Sequence, residues 1–148
     1  MRRFLLFITA ILLSQCLSAQ ILRPVKWAYA AKRLSKSEAM LLFKTSIDDD
    51  WHIYTTHQQD GGPSKTAFTF TSSNGYKLMG TVQEPPPISH FEQAFGTNVE
   101  YFEQSVIFQQ KVRLTVPITT IQGKISFMVC NDQKCLPPDD VSFNIPVK

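Results

Sequence analysis

Apolar and polar residues alternate along most of this 148-residue chain, and this period of two constrains the fold more than any other feature. The clearest run has one apolar-rich face, formed by Val106, Phe108, Gln110, Val112, Leu114 and Val116. The residues between them are largely polar, which indicates a strand with one buried face. Shorter runs of this kind start at Val25, Ala39, Trp51, Thr66, Tyr76, Ile125 and Val141. Seven or eight such strands predict an all-β fold, an immunoglobulin-like antiparallel β-sandwich, with a single helical turn at residues 91–95.

The start of the chain is typical of a signal peptide. Arg2 and Arg3 precede an apolar stretch at residues 4–13, and small residues lead to a cleavage site after Ala19. Residues 1–19 are therefore expected to be removed during export, which leaves one domain at residues 20–148. An alternative is a lipoprotein anchored at Cys16, although Gln15 stands where such a site has a small residue.

The net charge does not suggest nucleic acid or an anionic membrane as partner. The chain has 15 basic and 12 acidic residues, a formal charge of +3. Loss of Arg2 and Arg3 with the signal peptide leaves 13 basic and 12 acidic residues, a net charge of +1. A nearly neutral domain indicates neither nucleic acid nor an anionic membrane surface as partner.

Two cysteines flank a short polar segment near the end of the chain. Cys130 and Cys135 are separated by four polar residues, after an alternating apolar run and before two prolines. This pattern predicts a β-hairpin in which the two Cα atoms lie about 5 Å apart, a separation that suits a disulfide. A bridge across so small a ring stabilises the fold by only about 2 kcal/mol. A redox role and a structural bridge therefore both remain open at this point.

The direction of Cys130 bears on that choice. Ile125, Phe127 and Val129 alternate into the hairpin, so Cys130 has the opposite parity. If those three side chains enter the core, Cys130 points away from it. A purely structural cysteine more often shares the buried face.

The hairpin resembles that of the N-terminal periplasmic domain of the thiol:disulfide interchange protein DsbD. In that family, two cysteines on neighbouring strands of an immunoglobulin-like sandwich precede an aromatic or apolar residue and two prolines. The matching residues here are Cys130, Cys135, Leu136, Pro137 and Pro138. Residues 99–105 resemble the loop that covers the cysteines in that family, and residues 51–54 are similar to an aromatic strand near its site. The likeness covers roughly residues 25–147.

The resemblance implies a site. The catalytic pair would be Cys130 and Cys135. The resemblance leaves open which cysteine is attacked, and by analogy with hairpin disulfides Cys135 is expected to form the mixed disulfide. The cap loop and the residues that shape the site would be Glu100, Tyr101, Phe102, Trp51 and Tyr54, with Tyr101 as the aromatic shield. Family members place two acids at the start of the cap loop, whereas Val99 stands at the first of these positions here. The cysteine spacing is also one residue shorter than in the best-known members.

The resemblance also implies a function. The chain would relay electrons in the periplasm, from a thioredoxin-like donor through the cysteine pair to oxidised envelope proteins. Clients would be disulfide isomerases and thioredoxins of cytochrome c biogenesis. The membrane-embedded electron-transfer component would be a separate chain. A monomer without a cofactor is expected.

Two other functions remain open. The chain fits an immunoglobulin-like envelope binding module in which the disulfide is structural. A copper or zinc carrier is less consistent with the sequence, because His52, His57 and His90 lack the usual ligand spacing and are expected at the surface or in loops. No metal site is therefore predicted. The chain also lacks a Cys-x-x-Cys motif, which excludes a thioredoxin-type site.

Overall fold

Eleven β-strands and no helix make up the residues described by the structure, a computed structural model that covers residues 22–58, 61–93 and 95–148. The strands are β1 (Val25–Arg33), β2 (Glu38–Ile47), β3 (His52–Tyr54), β4 (Ala67–Phe70), β5 (Tyr76–Gln83), β6 (Ile88–Glu92), β7 (Thr97–Glu103), β8 (Ile107–Leu114), β9 (Thr119–Phe127), β10 (Val129–Cys130) and β11 (Asp139–Val147). The expected signal peptide and Cys16 lie outside the described residues. Nothing in those three ranges forms a helix long and apolar enough to cross a bilayer.

The strands form three antiparallel sheets. Strands β1, β2, β8 and β5 form the first sheet in that order, and β11, β9 and β4 form the second. Strands β10, β3, β7 and β6 form the third, which carries the cysteine hairpin at one edge. The architecture is the predicted all-β, immunoglobulin-like antiparallel sandwich.

Aromatic side chains fill the main core between the sheets. Phe43 and Phe108 are fully buried, as the alternation in β2 and β8 predicts. Phe68 lies between them, with ring centroids 5.0 Å from Phe43 and 5.2 Å from Phe108. Gln110 is the polar residue on this face of β8, and its amide donates to the carbonyl oxygens of Met79 and Lys111 at 3.2 and 2.8 Å. These bonds satisfy an amide that would otherwise be costly to bury.

The structure corrects three details of the sequence interpretation. The chain has more strands than seven or eight, because β3 and β10 are too short for an alternating pattern to reveal. The prediction of a helical turn at residues 91–95 is wrong for its first residues, because Phe91 belongs to strand β6. The backbone turns only after that strand, where the N–H groups of Phe95 and Gly96 donate to the carbonyl oxygen of Glu92. Val116 is 41% exposed, because β8 ends at Leu114.

The third sheet presents two different faces. Val129, Ile53 and Phe102 are in register across β10, β3 and β7, and all three belong to the main core. Cys130 and His52 are in register one residue away, so their side chains project from the opposite face. This opposite face of the third sheet is called the outer face below. It carries the candidate site.

Candidate functional site

Cys130 and Cys135 form a disulfide with an S–S distance of 2.04 Å. Their Cα atoms lie 4.0 Å apart, closer than the expected 5 Å. The two residues face each other as an antiparallel pair, and Leu136 on one side of them donates its N–H to the carbonyl oxygen of Val129 at 2.9 Å. The predicted hairpin with a cysteine on each side of its tip is confirmed.

Asn131 organises the tip of this hairpin. Its N–H donates to the carbonyl oxygen of Lys134 at 2.9 Å. Its side-chain oxygen accepts the N–H groups of Gln133 and Lys134 at 3.0 and 2.9 Å. Asparagine favours such turns because its short side chain can hydrogen-bond the backbone two residues ahead. The cysteine pair therefore lies between two backbone bonds and next to a tip closed by one side chain.

The two cysteines differ in exposure. Cys130 is 2% exposed, whereas Cys135 is exposed. Cys130 lies off the main core, as its parity predicts, but a second cluster covers it. That cluster consists of Tyr54, Val99, Cys130, Tyr101 and Met128. An approaching thiolate therefore meets Cys135 at the surface and finds Cys130 behind other side chains.

The structure separates the aromatic candidates into two groups. Tyr54 and Tyr101 lie on the outer face in the cluster around Cys130. Trp51 and Phe102 belong to the main core, where they are 8% and 6% exposed. The segment expected to be a cap loop is mostly strand β7, whose alternation sends Tyr101 and Phe102 to opposite faces.

Glu100 lies on the same side of β7 as Phe102, away from Cys130. Its N–H donates to the side-chain oxygen of Gln58 at 3.1 Å. Its carbonyl oxygen accepts the N–H of Thr55, also at 3.1 Å. The structure therefore does not bring Glu100 together with the disulfide. Val99, at the position where the resemblance implies a first acid, is one of the residues that pack against Cys130.

His52 is a site residue that the sequence analysis missed. It is paired in register with Cys130 on one side and with Glu103 on the other. Its Nε2 atom lies 3.1 Å from the hydroxyl oxygen of Tyr54, and its ring centroid lies 4.7 Å from that of Tyr101. The spacing of His52 and Tyr54 predicts that they share a face. The resemblance places residues 51–54 near the site, but the register of β3 with β10, which sets His52 opposite Cys130, has no signal in the sequence.

Burial shifts the pKa of both tyrosines. It raises the pKa of Tyr54 to about 12, with smaller contributions in the same direction from Glu92 and Tyr101. Burial also raises the pKa of Tyr101, and the nearby carboxylates of Glu103, Asp132 and Glu92 add to that shift. Both hydroxyls therefore keep their protons at neutral pH and can act as hydrogen-bond donors.

Burial lowers the pKa of His52 below its ordinary value. The negative charges of Glu103, Asp132 and Glu92 act in the opposite direction but do not outweigh the loss of hydration. His52 is therefore neutral at pH 7. In the tautomer with its proton on Nδ1, its Nε2 accepts a hydrogen bond that the Tyr54 hydroxyl donates.

The lowered pKa of His52 predicts that the oxidised protein loses stability in acid. In the unfolded chain this histidine binds a proton near its ordinary pKa of about 6.5, whereas in the folded chain it binds one only at lower pH. Protonation of His52 therefore favours unfolding. The contribution of His52 is thus complete above that value and is lost as the pH falls through the folded pKa. Urea unfolding from pH 8 to pH 5 should show this loss, and a His52→Gln variant should lack that part of it. An unchanged pH dependence in the variant would contradict the prediction.

Within residues 22–58, 61–93 and 95–148, no group of three or more His, Cys, Asp or Glu side chains is arranged to hold a metal ion. His57 instead pairs with Glu84, with 3.0 Å between its Nδ1 atom and a carboxylate oxygen. Around Cys130, the outer face brings together the disulfide, the imidazole of His52 and the protonated phenols of Tyr54 and Tyr101.

The family model described as "Thiol:disulfide interchange protein DsbD, N-terminal" matches residues 18–146. The chain belongs to this family. The DsbD N-terminal family and the disulfide-bonded pair together support thiol:disulfide exchange as the general chemistry of the site. No curated protein sequence matches the chain.

Solved structures show the DsbD N-terminal fold in this chain. The N-terminal periplasmic domain of ScsB from Proteus mirabilis matches with a TM-score of 0.62 and 17% identity, over 86% of this chain and 48% of that one. The reduced DsbD N-terminal domain from Neisseria meningitidis matches with a TM-score of 0.57 and 15% identity, over 84% of this chain and 89% of that one. A complex between the DsbD N-terminal and PilB N-terminal domains of the same organism matches with a TM-score of 0.53 and 13% identity, over 84% and 87%. The chain thus spans about half of the ScsB chain.

Proposed function

We propose that this chain relays electrons in the periplasm through its Cys130–Cys135 disulfide. It accepts them from a thioredoxin-like donor and passes them to oxidised envelope proteins. The observation that carries this proposal is the pairing of an exposed sulfur residue, Cys135, with a covered one, Cys130, in a single short hairpin. Exchange needs a sulfur that an attacking thiolate can reach, and the exposure of Cys135 supports such access.

The exchange proceeds in two balanced steps. A donor thiolate attacks the sulfur of Cys135, the bond between Cys130 and Cys135 breaks, and the Cys130 sulfur leaves with the electron pair. The donor's second thiolate then attacks the donor sulfur that is bonded to Cys135. This attack forms the donor's disulfide and releases Cys135. The donor ends as a disulfide and this chain as a dithiol, with two electrons transferred. The reverse steps reduce an oxidised acceptor.

Tyr54 and Tyr101 are the proposed shield of the reactive pair. They pack against Cys130 and leave Cys135 exposed, so that a partner needs to reach only one sulfur. The other side of β7 supports this shield. Phe102 and Trp51 act through the packing of the main core, and Glu100 acts through the pairing of β7. Their proposed role is to position the strands rather than to contact the reacting sulfurs.

The family supports the proposed partners and location. The Neisseria meningitidis DsbD N-terminal domain forms a complex with a PilB N-terminal domain, which supports a thioredoxin-like partner here. We propose as acceptors disulfide isomerases and thioredoxins of cytochrome c biogenesis, and as electron source a membrane protein on a separate chain. Export is proposed to remove residues 1–19 and leave a monomeric domain at residues 20–148, with a lipid anchor at Cys16 as the alternative.

A second function is an envelope binding module in which the disulfide is structural. The near-complete burial of Cys130 favours it, because structural cysteines are usually buried and unreactive. In this case reduction of the disulfide leaves partner binding unchanged, and protein thiols do not react with the site.

The reduction potential of the pair separates the two functions. For the relay we expect a midpoint of about −180 to −270 mV, the range of proteins that exchange disulfides. The mature protein is equilibrated in graded thiol buffers, and its free thiols are alkylated and counted by mass. A midpoint below about −300 mV would identify a structural bridge and favour the binding module.

A further inference from the structure

Breaking the disulfide leaves a negative charge on the buried sulfur of Cys130, where a thiolate is poorly stabilised. If the proposed exchange takes place at Cys135, the sulfur of Cys130 leaves as a thiolate. Cys130 is 2% exposed, and the residues packed around it are Tyr54, Val99, Tyr101 and Met128, none of which carries a positive charge. Burial among such groups disfavours a thiolate and raises the pKa of a cysteine. The first step of exchange therefore requires a group that compensates this charge.

His52 occupies the position from which such a group would act. Residues directly opposite each other in an antiparallel sheet have Cβ atoms about 4.5–5.5 Å apart, and His52 is the residue opposite Cys130. Its ring is held by the Tyr54 hydroxyl oxygen at 3.1 Å and by the Tyr101 ring at a centroid distance of 4.7 Å. The two tyrosines that cover Cys130 thus also fix the imidazole beside it.

We propose that His52 takes up a proton when the disulfide is reduced and holds the Cys130 sulfur as a thiolate in an ion pair. This proposal rests on the exchange chemistry proposed above. Reduction adds two electrons and two protons to the site. One proton is carried by the sulfur of Cys135, and the second is carried by the imidazole of His52 rather than by the sulfur of Cys130. Oxidation returns both protons to solvent or to the partner.

The hydrogen bond to Tyr54 permits this change. A phenol can donate or accept, so it donates to Nε2 of the neutral imidazole and accepts from Nε2 of the imidazolium. The bond at 3.1 Å is therefore kept in both protonation states. Because Tyr54 has a pKa of about 12, it stays protonated throughout and does not compete for the proton.

The charges that face His52 favour uptake of a proton once the thiolate forms. Carboxylates approach it from three elements: Glu103 on β7, Glu92 on β6 and Asp132 at the hairpin tip. Tyr54 and Tyr101 face it in their neutral forms. In the oxidised protein burial outweighs these charges and His52 is neutral. The thiolate adds a fourth negative charge directly opposite the ring, which raises the pKa of the imidazole.

The first test follows the histidines by NMR in the unmodified mature protein. Histidine labelled at Cε1 is titrated in the oxidised state and again after reduction with a small dithiol. We expect the proton affinity of His52 to rise at least about tenfold on reduction, with the Cε1 signal of His57, which pairs with Glu84, as the internal reference. Identical titration of His52 in the two states would overturn the proposal. Since a small dithiol is the reductant, the result does not depend on whether a protein donor is ever found.

The second test measures the thiol directly. In a Cys135→Ser variant, Cys130 is the remaining cysteine of the mature domain, and its ionisation is followed by thiolate absorbance in the ultraviolet. We expect the added change His52→Gln to make ionisation at least about tenfold less favourable, and the matched control His57→Gln, at an exposed histidine, to leave it unchanged. Equal curves for all three proteins would also overturn the proposal. A purely structural role of His52 would alter stability without moving the thiol titration.

Discussion

A Cys130→Ser variant is expected to form a mixed disulfide with a thioredoxin-like donor through Cys135, whereas a Cys135→Ser variant is expected to form almost none. The reason is access, because Cys135 is exposed and Cys130 is covered. The donor is a single-cysteine variant activated as a thionitrobenzoate disulfide, so that each attack releases a coloured thiolate. We expect the folded Cys130→Ser protein to react at least about tenfold faster, which corresponds to about 1.4 kcal/mol of barrier.

The same two variants provide the control and the contrary outcome. In urea both cysteines are accessible, and the two rates should become similar. Faster attack by Cys130 in the folded state would reverse the assignment of the attacked sulfur. In a complete relay from donor to acceptor, both variants should fall to the background rate, because the exchange uses both sulfurs. A Cys130→Ser protein that relays electrons at the wild-type rate would contradict the proposed function itself.

The second large effect is expected at Phe102, where alanine should lower the free energy of unfolding by about 3–5 kcal/mol. The side chain is 6% exposed and belongs to the main core. Its ring stands perpendicular to that of Phe108 with centroids 5.7 Å apart. Such a loss is a large fraction of the roughly 5–15 kcal/mol that stabilises a typical domain. Urea unfolding measures it, and a loss below about 1 kcal/mol would contradict the placement of Phe102 in the core.

Its neighbour Tyr101 provides the matched comparison. Tyr101 is only partly buried and lies with Cys130 on the outer face, so a Tyr101→Ala change should cost less stability than Phe102→Ala. It should instead increase the rate at which a small thiol reduces the disulfide by about tenfold, because one wall around Cys130 is removed. Tyr101→Phe keeps the ring and should react like the wild type. If Tyr101→Ala and the wild type are reduced at the same rate, Tyr101 does not shield the pair.

The alternation of residues was sufficient to predict the layers of the fold. The period of two in β2, β8, β9 and β11 placed their apolar faces correctly, and the cysteine spacing predicted the hairpin. The same period indicated that Cys130 leaves the main core. It could not show that Tyr54, Val99 and Tyr101 would cover the cysteine, because these residues come from strands whose pairing is set by tertiary packing.

The sequence was sufficient to predict the cysteine pair of the site, but not which side chains would surround it. Tyr101 and Phe102 are adjacent aromatic residues in the sequence, and only the strand geometry of β7 assigns one to the cysteine and the other to the core. Nothing in the sequence distinguishes His52 from the other residues of segment 51–54. Its relevance comes from the register between β3 and β10, a strand of two residues.

The hairpin that carries the cysteines also determines how many electrons the reduced protein transfers each time it meets a partner. The bonds from Asn131 to Lys134 and from Leu136 to Val129 do not involve the sulfurs, so they keep the two thiols side by side after reduction. Any mixed disulfide at Cys135 therefore has its resolving thiol at a high effective concentration, fixed by the backbone rather than by diffusion. We expect such complexes to be short-lived. The domain should behave as a two-electron carrier that seldom stays covalently attached to a partner in an oxidising compartment.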